Sequence, residues 1–272
     1  MKLWWLMLLG FALACAKPRG PMVPVGDPEV VVAMARSRPM MDAMNGRFSL
    51  TVNTGEREVT IPVSMLFDHP DRFRIELYSP FGTPLMTSTS DGKSLHVWSQ
   101  RDRIFYAGHE ASEVLKRITG GEVGIDDFLA ILTGKLPLVD AEILHIGRTV
   151  FEDDGVVIVM LGPDEIRVRA VIDPKSGLVR QLRVDPPMEQ SGYEEPSGEP
   201  ILQVNYDGQM RQDKVVLPAS IEVTMPRIGW TVRLNAKRWG SLSEAPEAFD
   251  LVAPPGATIK DLRETLEQMA QP

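Results

Sequence analysis

Histidine, cysteine and paired acidic side chains are the groups with which this chain could perform chemistry, and its histidines show no site-like spacing. The four histidines of the 272-residue chain are His69, His96, His109 and His145. No two of them lie at the short helical or strand spacing that metal ligands adopt. The sequence also lacks the GxSxG, HExxH and CxxC motifs and a phosphate-binding glycine loop. We therefore predict neither a metal centre nor a bound cofactor.

Two pairs of adjacent carboxylates, Asp126-Asp127 and Asp153-Asp154, are the remaining candidates for acid–base chemistry. The first pair opens a predicted helix, where the helix dipole favours negative charge. The second pair precedes Gly155 in a predicted turn. Because both pairs have an ordinary structural explanation, we predict that the protein is not an enzyme.

Cys15 is the only cysteine and cannot form a disulfide within the chain. It follows Lys2 and the apolar run Leu3–Leu13, the pattern of an export signal that is cleaved. The run is shorter than the roughly 20 residues that a transmembrane helix needs. Ala12–Cys15 resembles a lipobox, although Ala12 stands where leucine is usual. We predict a signal peptide over residues 1–14 and a lipid on Cys15, and the alternative is a plain secretory signal.

The residues after the cysteine are expected to form a flexible tether. Residues 15–27 contain three prolines and show no apolar periodicity. A lipid at the start of this tether would hold the folded domain, residues 28–272, at a membrane surface without crossing it. The formal net charge of −8 offers no basic surface for phosphate groups, so we expect no nucleic-acid partner.

Apolar and polar residues alternate with a period of two through most of the domain. The pattern is clearest in Phe48–Val52, Val59–Phe67 and Phe73–Leu77, and it recurs in nine further segments between residues 94 and 239. Asp-Gly pairs at 91–92, 154–155 and 207–208 favour tight antiparallel hairpins. Residues 188–200 are acidic, contain proline and glycine, and are expected to be a solvated loop. About eleven strands with short connections predict one mainly β domain, an antiparallel sheet that curls on itself.

Residues 110–134 interrupt the alternation with two short runs of helical period. Apolar residues recur at i, i+3, i+4 and i+7 in each run, as Ala111, Val114, Leu115 and Ile118 and as Ile125, Phe128, Leu129 and Leu132. Each run ends in Thr-Gly, and glycine suits a left-handed C-cap. We predict two amphipathic helices that cover the sheet, an earlier helix from Pro28 with Asp27 as its cap, and a terminal helix from Asp261.

The inward-facing apolar residues admit two interpretations. They could line an elongated pocket under the helices, which would bind acyl chains by burial with few polar contacts. Alternatively, they pack against the helices as a filled core, and the sequence leaves both interpretations open. The candidate lining residues are Leu50, Val52, Met65, Phe67, Phe73, Ile75, Leu77, Leu115, Phe128 and Leu132.

Four short segments, taken in order, resemble a known bacterial family. They are RFRIELYSPFG at 72–82, FYA at 105–107, EVLKRITG at 113–120 and FLAILTGKLP at 128–137. Over residues 44–137 they resemble the LolA/LolB-like superfamily, and within it the outer-membrane lipoprotein insertases of the LolB family. Phe249–Leu251 and Pro254–Gly256 are similar to the end of a LolA-type domain. The chain departs from the LolB pattern in its extra acidic loop and C-terminal helix, and in lacking tryptophans in the early strands.

This resemblance implies an unclosed antiparallel β-barrel with a helical lid over an apolar cavity. The cavity would receive the acyl chains of a lipoprotein from a periplasmic LolA-like carrier, and the protein would insert that lipoprotein into the inner leaflet of the outer membrane. The resemblance also implies that the lipid on Cys15 anchors the protein to the outer membrane, facing the periplasm. We expect a monomer.

The resemblance also assigns a role to Pro80, Phe81 and Gly82. Ser79, Pro80 and Gly82 suit positions i, i+1 and i+3 of a type I turn, which places Phe81 at the tip. In LolB-family proteins this turn carries an exposed hydrophobic residue that is needed to put the cargo into the membrane, and Phe81 stands in its place. The alternative is that the ring folds over the neighbouring strand as a small apolar contact.

Two other functions remain open. The protein could be a soluble LolA-like carrier that ferries lipoproteins through the periplasm without an anchor of its own. It could also be a non-enzymatic envelope scaffold with a filled core, which recruits another protein through an edge of the curved sheet.

Overall fold

The structure, a computed structural model, describes residues 27–39, 43–109, 111, 125–137, 141–148, 155–162, 165–187, 198–242 and 246–269. Several predicted features lie outside these residues. They are the signal peptide 1–14, Cys15 and nearly all of the tether 15–27, most of the first lid helix including Leu115, and most of the acidic loop 188–200. Those features stay predictions.

Within the described residues, fourteen β-strands form a single sheet. In chain order they are β1 (Ala43–Asn53), β2 (Glu58–Asp68), β3 (Arg72–Tyr78), β4 (Pro84–Asp91), β5 (Ser94–Ser99), β6 (Ile104–His109), β7 (Glu142–Arg148), β8 (Val156–Leu161), β9 (Arg167–Ile172), β10 (Val179–Asp185), β11 (Leu202–Gln212), β12 (Val215–Met225), β13 (Trp230–Ser241) and β14 (Thr258–Asp261). Three α-helices lie within the described residues: α1 (Pro28–Arg36), α2 (Ile125–Thr133) and α3 (Leu262–Met269).

The sheet is open, with β14 at one edge and β7 at the other. The strand order is β14-β6-β5-β4-β3-β2-β1-β13-β12-β11-β10-β9-β8-β7. All neighbours are antiparallel except β14 and β6, which are parallel. The prediction of a mainly β, unclosed antiparallel sheet is confirmed, with fourteen strands rather than about eleven.

Two local predictions differ from the structure. Asp207-Gly208 is not a hairpin turn, because the ladder between β11 and β12 runs through it, from Asp207 paired with Ser220 to Gln209 paired with Pro218. Gly208 lies within β11 with a φ of 63°, a conformation that glycine adopts without strain. The strand β4 was not predicted because its sequence, PLMTSTSD, consists mostly of serine and threonine and lacks apolar alternation.

The predicted helix at the start of the domain is present as α1. The Asp27 side chain accepts a hydrogen bond of 3.0 Å from the Glu29 N–H, which satisfies one of the free donors of the first turn. Pro28 occupies that turn without losing a helical hydrogen bond. The helix buries Val31, Val32 and Ala35, which belong to the core. The second predicted lid helix is present as α2.

One face of the sheet, which we call the inner face, carries the core under the helices. The Phe128 ring of α2 lies 5.7 Å from the Phe73 ring of β3. The Tyr206 hydroxyl of β11 donates a hydrogen bond of 2.9 Å to the carbonyl of Ile131. Phe128 and Ile131 are only three residues apart on α2, so β3 and β11, which are five spacings apart in the strand order, both curve toward this helix. Leu262 of α3 belongs to the same core.

Turns 54–57, 79–83 and 226–229 lie at the same end of the sheet, which we call the turn end, as does the turn between β5 and β6. Asn53 at the end of β1 pairs with both Glu58 of β2 and Thr231 of β13, so turns 54–57 and 226–229 lie together. The strand β3 runs antiparallel to β2, from Arg72 opposite Asp68 to Leu77 opposite Val63. The turn 79–83 therefore projects at that end as well.

Candidate functional site

Burial along the inner face of β1 and β2 decreases toward the turn end. Met44 and Phe67, which pair across the two strands, are buried in the core. Farther along, Val52 is half-buried, and its partner Val59 is 50% exposed. The same apolar face is therefore closed at one end of these strands and accessible at the other.

Neighbouring strands extend this accessible region on both sides of β1 and β2. Leu77 of β3 pairs with Met86 of β4, and Val232 of β13 pairs with Val223 of β12. All four side chains are half-buried. We call the whole region the open apolar surface, and it consists of Leu50, Val52, Val59, Ile61, Leu77, Met86, Val223 and Val232. A contiguous accessible apolar region of this kind is typical of a surface that meets an apolar partner.

The predicted lining residues divide between the core and the open apolar surface. Met65, Phe67, Phe73 and Leu132 are buried. Leu50, Ile75, Leu77 and Phe128 are partly buried and pack against the core. Val52 is half-buried, and Leu115 lies outside the described residues. The two interpretations of the sequence thus apply to different parts of one face: a filled core under α2, and an accessible apolar region toward the turn end.

The buried part of the inner face is held by aromatic packing and by the hydrogen bond from Tyr206. The Phe48 and Trp239 rings meet edge to face at 4.8 Å, and the Trp239 N–H donates to the carbonyl of Pro218 at 3.3 Å. Burial raises the pKa of the Tyr206 hydroxyl, which therefore stays protonated and donates to α2. These contacts hold together the buried core that borders the open apolar surface.

Phe81 lies at the tip of the turn between β3 and β4 and is 96% exposed. The Gly82 N–H donates to the carbonyl of Ser79 at 2.9 Å, as in a β-turn with Phe81 at its third position. The Ser79 hydroxyl also accepts hydrogen bonds from the N–H groups of Phe81 and Thr83, at 3.3 Å and 3.1 Å. Gly82 has a φ of 82°, which glycine adopts without strain. The ring therefore does not fold back over the neighbouring strand, and its backbone is well supported.

A polar cluster lies on the outer face of β3, in the residues that precede this turn. The Glu76 carboxylate accepts hydrogen bonds from the Tyr78 hydroxyl and from Arg74, whose Nε lies at 2.9 Å. Burial raises the pKa of Glu76, but the hydrogen bonds from Tyr78 and Arg74 and the positive charge of Arg74 outweigh it and hold the pKa below its ordinary value. Burial and the hydrogen bond to Glu76 raise the pKa of Tyr78 to about 12.

A second apolar turn, which was not predicted from the sequence, lies between β12 and β13. Ile228 is 57% exposed in this turn, and Trp230, the first residue of β13, is 42% exposed. Pro226 begins the turn and Gly229 closes it with a φ of 66°. The sequence pattern that predicts this turn is the same as at Phe81. An apolar residue is flanked by proline and glycine between two predicted strands.

Comparisons with known proteins identify the fold. No family model and no curated protein matches the chain. Among solved structures, a DUF1329 family protein from Desulfovibrio piger matches 84% of this chain and 97% of its own, with 10% identity and a TM-score of 0.60. A LolA superfamily protein from Nitrosomonas europaea matches 82% of this chain and 97% of its own, with 11% identity and a TM-score of 0.56. The chain has a LolA-like fold.

A third solved structure with the LolA-like fold comes from Vibrio parahaemolyticus and is described as a putative outer membrane lipoprotein-sorting protein domain. It matches 82% of this chain and 97% of its own, with 10% identity and a TM-score of 0.54. Identities this low establish a shared fold and nothing finer. The predicted LolA/LolB-like architecture is therefore confirmed at the level of the fold.

Other sites on the LolA-like sheet suit an acyl chain less well than the open apolar surface. A cavity of about 440 Å³ is lined by the ion pair of Asp173 and Arg180 and by Tyr206, Gly208 and Pro218, among others, and it is largely polar. Within the described ranges, histidine, cysteine, aspartate and glutamate side chains do not gather in threes as a metal site would require. None of the helices in those ranges combines the length and apolar content needed to span a bilayer.

Proposed function

We propose that the protein is a lipid-anchored acceptor that binds lipoprotein acyl chains on its inner face and inserts lipoproteins into the outer membrane. The observation that carries this proposal is the position of Phe81. Its ring is almost fully exposed on a supported turn, at the end of the sheet where the apolar inner face becomes accessible. An apolar binding surface and an exposed aromatic residue at the same end suit the transfer of an apolar group into a bilayer.

Acyl chains would bind to the open apolar surface by burial alone. Each CH₂ group removed from water contributes about 0.8 kcal/mol, so an acyl chain needs apolar area rather than hydrogen bonds. Val52, Val59 and Leu77 offer such area at the turn end. Because this surface is only partly enclosed, it would cover only part of a bound acyl chain. The rest of the acyl chain would be buried only after transfer into the membrane. This difference favours release into the bilayer, and no covalent bond is made or broken.

Phe81 would enter the bilayer and bring the mouth of the binding surface against it. Burying such a side chain contributes about 1.5–3 kcal/mol, which suits reversible contact rather than permanent insertion. The hydrogen bonds of Ser79 keep the backbone of the turn ordered, so little additional order has to be imposed on contact.

Partners and location follow from the proposal together with the N-terminal pattern. A lipid on Cys15 would anchor a monomer to the inner leaflet of the outer membrane, facing the periplasm, and a periplasmic LolA-like carrier would supply the cargo. Mass spectrometry of the mature N-terminus distinguishes this acceptor from a soluble LolA-like carrier. A diacylated Cys15 supports the acceptor, whereas an unmodified Cys15 favours the soluble carrier.

A transfer assay with vesicles tests the proposal. A carrier loaded with a fluorescent lipoprotein is mixed with vesicles that hold the protein, and the lipoprotein that becomes vesicle-bound is measured over time. We expect Phe81→Glu to lower the rate at least tenfold, since a carboxylate at the tip resists burial in the bilayer. The matched control is Phe81→Leu, which keeps an apolar tip and should retain most of the rate.

The circular dichroism spectrum and urea midpoint of both variants are compared with those of the parent, because position 81 is exposed and its replacement should leave the fold unchanged. Equal transfer rates for Phe81→Glu and the parent protein would remove the proposed role of Phe81. A carrier that releases no lipoprotein even to the parent protein would contradict the acceptor function itself.

A further inference from the structure

We propose that the turn between β12 and β13, through Ile228 and Trp230, is a second point of contact between this protein and a lipid bilayer. The inference rests on the proposed function only for the presence of a membrane at the turn end. The turn of Ile228 lies outside the Phe81 turn, so membrane contact at both turns would extend across the sheet.

The turn between β12 and β13 exposes two large apolar side chains. Ile228 is 57% exposed and Trp230 is 42% exposed, although apolar residues of this size usually lie inside a soluble protein. Gly229 holds the left-handed conformation that lets the chain reverse, and its N–H donates to the carbonyl of Pro226 at 2.9 Å. The two side chains are thus displayed by an ordered turn.

The same turn also carries polar groups without a partner in the described part of the chain. Arg227 is exposed and forms no ion pair within the described part of the chain. The Trp230 indole N–H likewise donates to no group there. These three side chains suit successive layers of a bilayer surface. The aliphatic side chain suits the acyl chains, the tryptophan suits the carbonyl region, and the unpaired cation suits the phosphates. The charge of Arg227 complements lipid phosphates.

The turn of Ile228 and the Phe81 turn lie on opposite sides of the open apolar surface. In the strand order, β2 and β1 lie between the Phe81 turn and the turn of Ile228, so the two tips are four strand spacings apart. At about 4.8 Å per spacing, the separation along the sheet is about 19 Å. The open apolar surface, with Val52 and Val59, lies between them. Contact at both tips would therefore hold the mouth of this surface against the membrane.

The intervening turn sets the depth of contact. Residues 54–57 carry Glu56 and Arg57, which are exposed and charged and favour the headgroup layer. A protein partner fits this surface less well than a bilayer. The exposed parts of Ile228 and Trp230 amount to on the order of 200 Å², whereas a stable protein interface buries about 800 Å² on each partner.

Site-specific fluorescence tests the inference on the full-length chain. Cys15 is kept unchanged so that the anchor is retained, and because the proposed lipid occupies the sulfur of this only cysteine, each new cysteine is the one free thiol that takes the label. Ile228→Cys, Phe81→Cys and Lys214→Cys are labelled separately with an environment-sensitive fluorophore. Each protein is reconstituted with vesicles of phosphatidylethanolamine and phosphatidylglycerol, with and without a spin-labelled lipid as quencher. Lys214 is the matched control, because it is exposed in the turn between β11 and β12 at the opposite end of β12.

We expect a blue shift and lipid-dependent quenching for the label at position 228, comparable to those at position 81, and neither at position 214. Quenching at 81 but not at 228 overturns the inference and leaves the proposed function standing. Quenching at 228 but not at 81 supports the inference and contradicts the role of Phe81. Loss of quenching at both positions overturns both. A blue shift at position 228 that occurs without vesicles, and only after a carrier protein is added, overturns the inference and indicates a protein contact.

Discussion

At the scale of single residues, the hydrogen bonds of Ser79 hold the turn that displays Phe81. The ring is 96% exposed, while Ser79 accepts three hydrogen bonds from the backbone of the same turn. The placement of Phe81 at the tip could be predicted, because proline and glycine dictate local backbone geometry. The interaction of Glu76 with Tyr78 and Arg74 could not, since it depends on side-chain conformation along the strand.

The ionisation of Glu76 should stabilise the fold in a pH-dependent way. Its pKa in the folded protein lies below the ordinary value, so its contribution to stability is present above the unfolded pKa of about 4.3 and is lost as the pH falls through the folded pKa. We expect Glu76→Gln to have a lower urea midpoint than the parent at pH 6. The difference should shrink below about pH 4.3.

Urea titrations of the two proteins across this range measure the difference directly. Other acidic groups are the same in both proteins, so their titration cancels in the comparison. A midpoint difference that stays constant from about pH 6 to about pH 3 would contradict the assigned role of the Glu76 carboxylate.

At the scale of elements, single strands carry both a buried core segment and a partly exposed apolar segment. Along β3, Phe73 is buried against Phe128 of α2, whereas Leu77 is half-buried at the turn end. Alternation of apolar residues predicted which face points inward for both positions. It could not predict which of them α2 covers, because that depends on where a helix distant in sequence comes to lie.

Two substitutions in β3 should separate stability from binding. Phe73→Ala removes a buried ring and should lower the free energy of unfolding by about 3–5 kcal/mol. Leu77→Ala should cost about 1 kcal/mol, since the side chain is already half-exposed, yet it should weaken the binding of a fatty acid or a lipoprotein acyl chain. Urea unfolding and fluorescent fatty-acid titration measure the two effects, and a larger loss of stability for Leu77→Ala than for Phe73→Ala would contradict the assignment.

The element that sequence reasoning missed shows where pattern reading fails. The strand β4 has serine and threonine on both faces, and Thr87, Thr89 and Ser90 are buried. Its polar composition suggests a loop, but the ladder with β3 satisfies its backbone and a segment near Ala248 covers the outer face, where Arg74 donates to the Ala248 carbonyl at 3.1 Å. Tertiary contacts therefore override the local preference.

At the scale of the whole molecule, the sheet order is set by pairings that connect distant parts of the chain. The strand β1 pairs with β13, which begins at residue 230, and this pairing places turns 54–57 and 226–229 at one end. Hairpins joined by short turns could be predicted from neighbouring residues. The β1–β13 pairing could not, because nothing local specifies it and only the packing of the complete inner face selects it. For the same reason, the position of the Ile228 turn beside turn 54–57 could not be predicted from its proline and glycine.

The central claim is that acyl chains bind to the accessible part of the inner face, and two adjacent residues of β1 offer the most direct test. Val52 lies on the inner face, whereas Thr51 lies on the outer face, where its hydroxyl contacts that of Thr60 at 3.0 Å. A photo-crosslinking amino acid at each position is exposed to a lipoprotein with its acyl chains and to the same protein without them. We expect crosslinks from position 52 only, and only with the acylated lipoprotein. Equal crosslinking from positions 51 and 52, or crosslinking that does not depend on acylation, would contradict the proposed function.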